Sequence, residues 1–170
     1  LQVRVTLRNN TSEAFAGDIV LGIQDGQTCR VPVELAANEE RIVALTPEQA
    51  ANLHIDNPRV WWSYELGTPE LYSINVQVEA DGKVADDKEV TFGIREITSR
   101  LNEFGYRQFY LNGKEILLKG AGWTDDIFLR DTPESLERQV RYVMDMNMNT
   151  IRFENIWGKD DYIYDLCDRE

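Results

Sequence analysis

Two patterns laid end to end predict the fold class: an all-β, two-sheet sandwich over residues 1–97, followed over residues 98–170 by a junction hairpin and the first two β/α units of an incomplete barrel. Three observations carry this. From Leu1 to Ile97, apolar and polar residues alternate with a period of two in run after run. Turn-type pairs such as Asn9-Asn10, Asp25-Gly26 and Asp81-Gly82 punctuate those runs. After Ile97 the order becomes strand, helix, strand, helix, which implies parallel strands with helical crossovers.

The sandwich elements follow in order. Val3, Val5 and Leu7 alternate with Gln2, Arg4, Thr6 and Arg8, the pattern of a half-buried strand that stops at Asn9-Asn10. Ile19, Leu21 and Ile23 share one face of the next run, and Cys29, Val31, Val33 and Leu35 one face of the run after it. Asp25-Gly26 between the two predicts a hairpin. Ile42, Ala44 and Thr46 precede a stretch containing Pro47. Leu71 to Val78 and Lys88 to Ile97 then flank Asp81-Gly82. About seven short strands with frequent turns spell an immunoglobulin-like sandwich, though no Cys-Trp-Cys spacing marks an antibody-type domain.

Beyond Ile97, Tyr106–Leu111 and Glu115–Lys119 read as strands around the tight-turn pair Asn112-Gly113; Gly120-Ala121-Gly122-Trp123 follows, and then a loop. Thr132 is a hydroxyl N-cap before Pro133. Leu136, Val140, Val143 and Met144 then recur on one face, predicting a helix of roughly four turns. Thr150-Ile151-Arg152-Phe153 is a short buried strand, and Asp160–Glu170 opens a second helix. A closed barrel of eight such units takes roughly 250 residues. Two units cannot cover both faces of a parallel sheet, and Leu1 begins inside a strand pattern, so the chain is expected to be a piece of a longer protein.

Composition narrows the function. Apolar residues make up 42% of the 170 residues, including 4 Trp, 7 Tyr and 6 Phe, enough for an ordinary core. No apolar run approaches the ~18 residues of a membrane span. Thirty acidic against eighteen basic residues give a net charge of −12, which repels a phosphate backbone and argues against nucleic acid as a partner. The acidic excess reads first as a solubilising surface and second as an attraction for a cationic polysaccharide. One histidine, His54, and two distant cysteines, Cys29 and Cys167, offer no metal-ligand spacing, and no cofactor is expected. Free thiols are expected in preference to a disulfide.

Several linked segments carry a resemblance. Phe92-Gly93-Ile94-Arg95-Glu96-Ile97, Tyr106–Leu111, Asn112-Gly113-Lys114 and Ile116-Leu117-Leu118-Lys119-Gly120 follow one another. Upstream stand Asn57-Pro58-Arg59-Val60-Trp61-Trp62 and Glu70-Leu71-Tyr72, and downstream Asn149-Thr150-Ile151-Arg152. In this order they resemble the junction between the immunoglobulin-like and catalytic domains of glycoside hydrolase family 2. Gly105–Phe109 and Gly120–Arg130 are most similar to the exo-β-D-glucosaminidase branch. The β-mannosidase branch typically continues its second-strand arginine into Trp-Gly-Gly, where this chain has Phe153-Glu154-Asn155.

The resemblance implies a retaining hydrolase of β-linked sugars, an amino sugar or a mannoside, whose two catalytic carboxylates lie beyond Glu170. The 170-residue chain alone is then inactive, its catalytic residues lying outside it and the remainder of the barrel acting as its partner. It also implies a periplasmic or secreted bacterial setting. Alternatives are a β-mannosidase- or β-galactosidase-type member, or a non-catalytic carbohydrate-binding sandwich module; the strand–helix tail, useless to such a module, favours the hydrolase.

Within that frame four residues are candidates for substrate binding. Glu154 stands at the C-terminal end of the second barrel strand, where barrel enzymes build their sites, and its carboxylate could bind a protonated amine or merely face solvent. Arg152 could orient a site carboxylate or pair structurally. Trp123, following the first barrel strand, could stack on a sugar or pack. Asp126, ahead of Phe128-Leu129-Arg130, could reach the site or shape its loop. Trp61 and Trp62 are expected in a sandwich strand, one in the core and the other exposed, either as a glycan platform or, in preference, docking against the barrel.

Overall fold

The structure, a computed structural model, describes residues 1–24, 26–128, 130–155 and 161–170. Asp25 of the first hairpin turn, Leu129 of the Phe-Leu-Arg run and Asp160 at the expected start of the last helix lie outside the described residues. The chain divides into two compact units, one of Leu1–Pro58 with Tyr72–Phe92, the other of Arg59–Leu71 with Gly93–Glu170.

The first unit holds strands β1 (Val3–Arg8), β2 (Phe15–Ile23), β3 (Cys29–Leu35), β4 (Glu40–Leu45), β5 (Leu71–Ala80) and β6 (Lys83–Gly93). β1 and β4 form one antiparallel sheet and β3-β2-β5-β6 the other. The period of two does its expected work: Ile19, Leu21 and Ile23 of β2 and Val33 and Leu35 of β3 are buried, while Arg30, Pro32 and Glu34 point outward. Ile19, Leu21, Leu45 and Leu53 are the most completely enclosed side chains, the last delivered by a short 3-10 turn, Ala51–Leu53. Asp81 and Gly82, at φ 52° and 71°, make the tight turn between β5 and β6. The two sheets face each other across an open cleft of about 640 Å³, walled by β1 on one side and by β5 and β6 on the other, with Val5, Leu7, Ile74, Val76 and Phe92 in its lining. These sheets are the sandwich that the alternation predicts.

The second unit begins with a three-stranded antiparallel sheet, β7 (Ile97–Leu101), β8 (Arg107–Leu111) and β9 (Lys114–Ile116). Asn112 and Gly113, at φ 48° and 78°, close its tight hairpin as their residue types require. β10 (Gly120–Thr124) and β11 (Thr150–Asn155) then pair in parallel, joined through helix α1 (Pro133–Asp145), and helix α2 (Tyr162–Arg169) follows. This is a β–α–β crossover with one more helix. The Thr132 side chain and Ser135 cap α1 reciprocally, and Pro133 occupies its first position. Leu136 and Val140 of α1 and Ile163 and Leu166 of α2 form the core of this unit.

Three expectations are revised. The strand expected over Lys88–Ile97 runs Lys83–Gly93, and Ile97 opens β7 instead. The first parallel strand is Gly120–Thr124, whereas the sequence predicts a strand ending at Lys119 with Trp123 following it. Glycines ordinarily weaken a strand, but here a side chain at position 120 would run into the backbone oxygen of Thr150 across the pair, so glycine is what lets β10 and β11 approach. Trp61 and Trp62 lie in no strand. They belong to the segment Arg59–Leu71, which packs within the second unit because its polar groups find their partners there. The Trp61 indole donates to the Asp168 carbonyl at the end of α2 (2.7 Å), and its backbone N–H donates to Ile94 O (2.8 Å). The expected docking of one tryptophan is thus made by Trp61, with Arg95 stacked over its ring.

A glycine-backed carboxylate at the end of a parallel strand

The two faces of the β10–β11 pair are chemically distinct. Trp123, Ile151 and Phe153 pack against the helix core of Leu136, Val140, Ile163 and Leu166. Alternation sends Gly120, Gly122, Thr150 and Arg152 to the other side, where the register matches Gly120 with Thr150 and Gly122 with Arg152. Glu154 joins them. Its carboxylate takes an ion pair from the Arg152 guanidinium through Nη2 and Oε1, and it lies over the bare Cα of Gly122.

Glu154 also occupies an irregularity in the ladder. Trp123 pairs with Phe153, but the next residue, Thr124, pairs with Asn155, so Glu154 has no partner on β10. Such a bulge bends a strand and re-aims a side chain, and bulges are frequent at functional sites. The carboxylate stands at the C-terminal end of a parallel strand, 43% exposed, next to an Arg152 that is 75% exposed. The arrangement offers an anion with its guanidinium partner at one oxygen and part of its surface exposed among the described residues. A carboxylate accepts several hydrogen bonds, so this geometry suits a cation or a hydroxyl-rich ligand.

Of the four sequence candidates, the structure therefore brings Arg152 and Glu154 together. Trp123 lies inside β10, on the helix-facing side, its indole donating to Gln139 Oε1 (2.6 Å) and its ring meeting Phe153 edge-on with centroids 5.4 Å apart. That side chain is engaged in packing. Asp126 is exposed in the loop after β10, where its Oδ1 accepts from the Phe128 N–H (2.8 Å) and its own N–H donates to Asp131 (2.8 Å), the local turn that an aspartate builds. His54 is exposed and meets Asp56 (3.0 Å), and Cys29 and Cys167 are free, half-buried thiols. Burial pushes the Cys167 thiol up, with Asp168 adding to the shift and Arg95 opposing it.

Sequence reasoning passed over Gly122 and Glu65. Glu65, from the Arg59–Leu71 segment, reaches the opposite, N-terminal ends of both strands: it pairs with Lys119 just before β10 and accepts from Asn149 Nδ2 (2.8 Å) just before β11. The signal available for Gly122 was the Gly-x-Gly spacing, which in a strand marks close approach of another group.

Residues 1–95 match the model for glycosyl hydrolases family 2. An exo-beta-D-glucosaminidase of Streptomyces avermitilis is 37% identical over 169 residues, covering 99% of this chain and 18% of that protein. A beta-mannosidase B of Aspergillus terreus is 28% identical over 139 residues, covering 75% of this chain and 16% of the relative. Among solved structures, the Amycolatopsis orientalis exo-chitosanase CsxA superposes with a TM-score of 0.82 at 28% identity, covering 99% of this chain and 19% of that one. The chain thus spans less than a fifth of the length of each of these three proteins.

Proposed function

The chain belongs to glycosyl hydrolases family 2, and from that premise we propose that it forms part of a longer retaining β-glycosidase acting on a β-linked amino sugar, in which Glu154 binds the substrate's protonated amine. The observation that carries the reading is the position of Glu154: a carboxylate at the C-terminal end of a parallel strand, on the side away from the helices, held by Arg152. In a (β/α)8 barrel the helices lie outside and the strand ends build the site, so β10–α1–β11–α2 reads as the first two units of such a barrel. The likeness to exo-beta-D-glucosaminidases over nearly the whole chain supports an amino sugar over a neutral one.

The chemistry needs two carboxyl groups about 5 to 5.5 Å apart, one as nucleophile and one as acid/base. We assign neither to this chain; both come from later strands of the whole protein. The contribution of this chain is recognition. An ammonium group at C2 of the sugar, hydrogen-bonded to Glu154, adds a charge-assisted bond that a hydroxyl at the same carbon makes more weakly.

Replacing the carboxylate by an isosteric amide tests this. In the full-length protein, Glu154→Gln removes a charge-assisted bond of roughly 1.5 to 3 kcal/mol, so kcat/KM for an aryl β-D-glucosaminide should fall about ten- to a hundred-fold. The fall for the matching neutral glucoside should be much smaller. Equal losses on both, with the circular dichroism spectrum unchanged, would make Glu154 structural and move the substrate to the mannosidase-type alternative.

A further inference from the structure

We propose that Gly122 determines amine specificity and that Arg152 is a positioning residue, the bare Cα of the first providing the space in which the Glu154 carboxylate lies and the guanidinium of the second holding it there. The inference rests on the reading of Glu154 as the amine-binding group. Three observations support it. A Cβ built on Gly122 would overlap the Glu154 carboxylate, with Cγ at 3.2 Å, and its three nearest neighbours are all atoms of that one side chain. Glu154 is the unpaired residue of the bulge, so the ladder itself does not fix its direction. Among the described residues its ionic partner is Arg152, which stands opposite Gly122 in the strand register.

The neighbouring glycine sharpens the distinction. At Gly120 a Cβ would collide with backbone: the Thr150 oxygen, and the Thr150 carbonyl carbon at 2.8 Å. An alanine there must push the strands apart. At Gly122 the colliding atoms are the far end of a flexible side chain, so an alanine moves the carboxylate and leaves the strand pair in place. Trp123, Ile151 and Phe153 on the helix side go on anchoring both strands. Charge-assisted hydrogen bonds weaken steeply with misalignment, so a displacement on the order of an ångström affects the amine contact.

The test uses the full-length protein with aryl β-D-glucosaminide and aryl β-D-glucoside, following KM and kcat separately together with thermal unfolding. Gly122→Ala should cut kcat/KM for the glucosaminide about ten-fold and for the glucoside less than about three-fold. Glu154→Asp, one methylene shorter, should restore part of the discrimination when combined with Gly122→Ala, so that the double variant exceeds the product of the single losses. Arg152→Met should raise KM for the glucosaminide more than for the glucoside, and Arg152→Lys should recover part of that. Gly120→Ala should lower the unfolding temperature and both activities together.

A folded Gly122→Ala that keeps full discrimination, in a protein where Glu154→Gln loses it, overturns this inference and leaves the amine reading standing. Indifference of both variants overturns the two together. If Gly122→Ala unfolds and Glu154→Asp fails to restore folding, Gly122 serves the backbone as Gly120 does, and the inference fails.

Discussion

At the scale of the residue, one tryptophan and one glycine exchange the importance that their types suggest. An indole beside a sugar-processing site invites a stacking role, yet Trp123 points to the helices, with its N–H on Gln139 and its ring against Phe153. Truncating it removes a half-buried aromatic, so Trp123→Ala should cost about 2 to 3 kcal/mol in global stability, short of the fully buried range. Trp123→Phe keeps most of the area and loses one hydrogen bond, costing about 1 kcal/mol. Neither should change the ratio of glucosaminide to glucoside turnover in the folded protein. Urea unfolding of the full-length protein, followed with both assays, checks this, and a shifted ratio in folded Trp123→Phe would return the indole to the site. The family resemblance points to Arg152 and Glu154 as candidates, but the sequence cannot say which face of a strand a tryptophan takes. That depends on where the strand starts.

At the scale of the element, the difficulty was the strand itself. Alternation makes β1 and β3 legible because each has one buried and one solvated face, whereas β2 buries Ile19, Val20 and Leu21 in succession and β5 exposes no residue, so those two are legible by their apolar content. β10 shows no such alternation: Gly120 and Gly122 supply space for Thr150 and Glu154, and only Trp123 gives an apolar signal. The segment Arg59–Leu71 was illegible for another reason, since its work is done by hydrogen bonds to residues far along the chain. Tyr64 donates its hydroxyl to Met148 O (3.0 Å), with Met144 O at 3.3 Å, tying the segment to the turn that follows α1. Glu65 ties Lys119 to Asn149.

That tie has a pH signature. Lys119, and after it Asn149, hold the Glu65 carboxyl below its ordinary value of 4.5. A carboxyl whose folded pKa is depressed adds stability that is fully present above the unfolded value and is lost as pH falls through the folded one. Glu65→Gln should therefore destabilise by about 1 kcal/mol near neutrality, the scale of a partly exposed pair, and the gap from the unaltered protein should close as pH drops below 4.5. Thermal unfolding of both proteins across that range measures it. A gap that stays constant down to strongly acidic pH would show that Glu65 acts through its shape alone.

At the scale of the whole molecule, the two units carry different surfaces. In the first, the buried apolar residues come from both sheets, and the exposed strand positions mix charges such as Arg30, Glu34, Asp86 and Glu89 with Ile42, Val84 and Val90. The second leaves large apolar side chains in solvent, among them Leu117 at 75% and Ile127 at 91%, together with Phe104, Phe128 and Tyr142. Its parallel sheet, among the described residues, has two strands and hence free edges. Large apolar side chains left in solvent favour cover by another part of a protein, and a parallel pair with helices on one side needs further strands beside it. Against this stands a net charge of −12, which keeps copies of the chain apart and acts more strongly at low salt.

The balance gives a prediction in two parts. Residues 1–170 produced alone should bind a hydrophobic dye such as anilinonaphthalene sulfonate and self-associate increasingly as salt screens the charge. The full-length protein should do neither. The same chain should leave aryl β-D-glucosaminide, mannoside and galactoside untouched, because the carboxyl pair we place on later strands is absent from it, whereas the full-length enzyme should release product first as the β anomer. Light scattering against salt tests the first part, and proton NMR of the initial product the second. Turnover by residues 1–170 above an empty-vector control would put a catalytic carboxylate inside this chain, and with Glu154 already at a strand end, that residue would be the first to re-examine as nucleophile or acid.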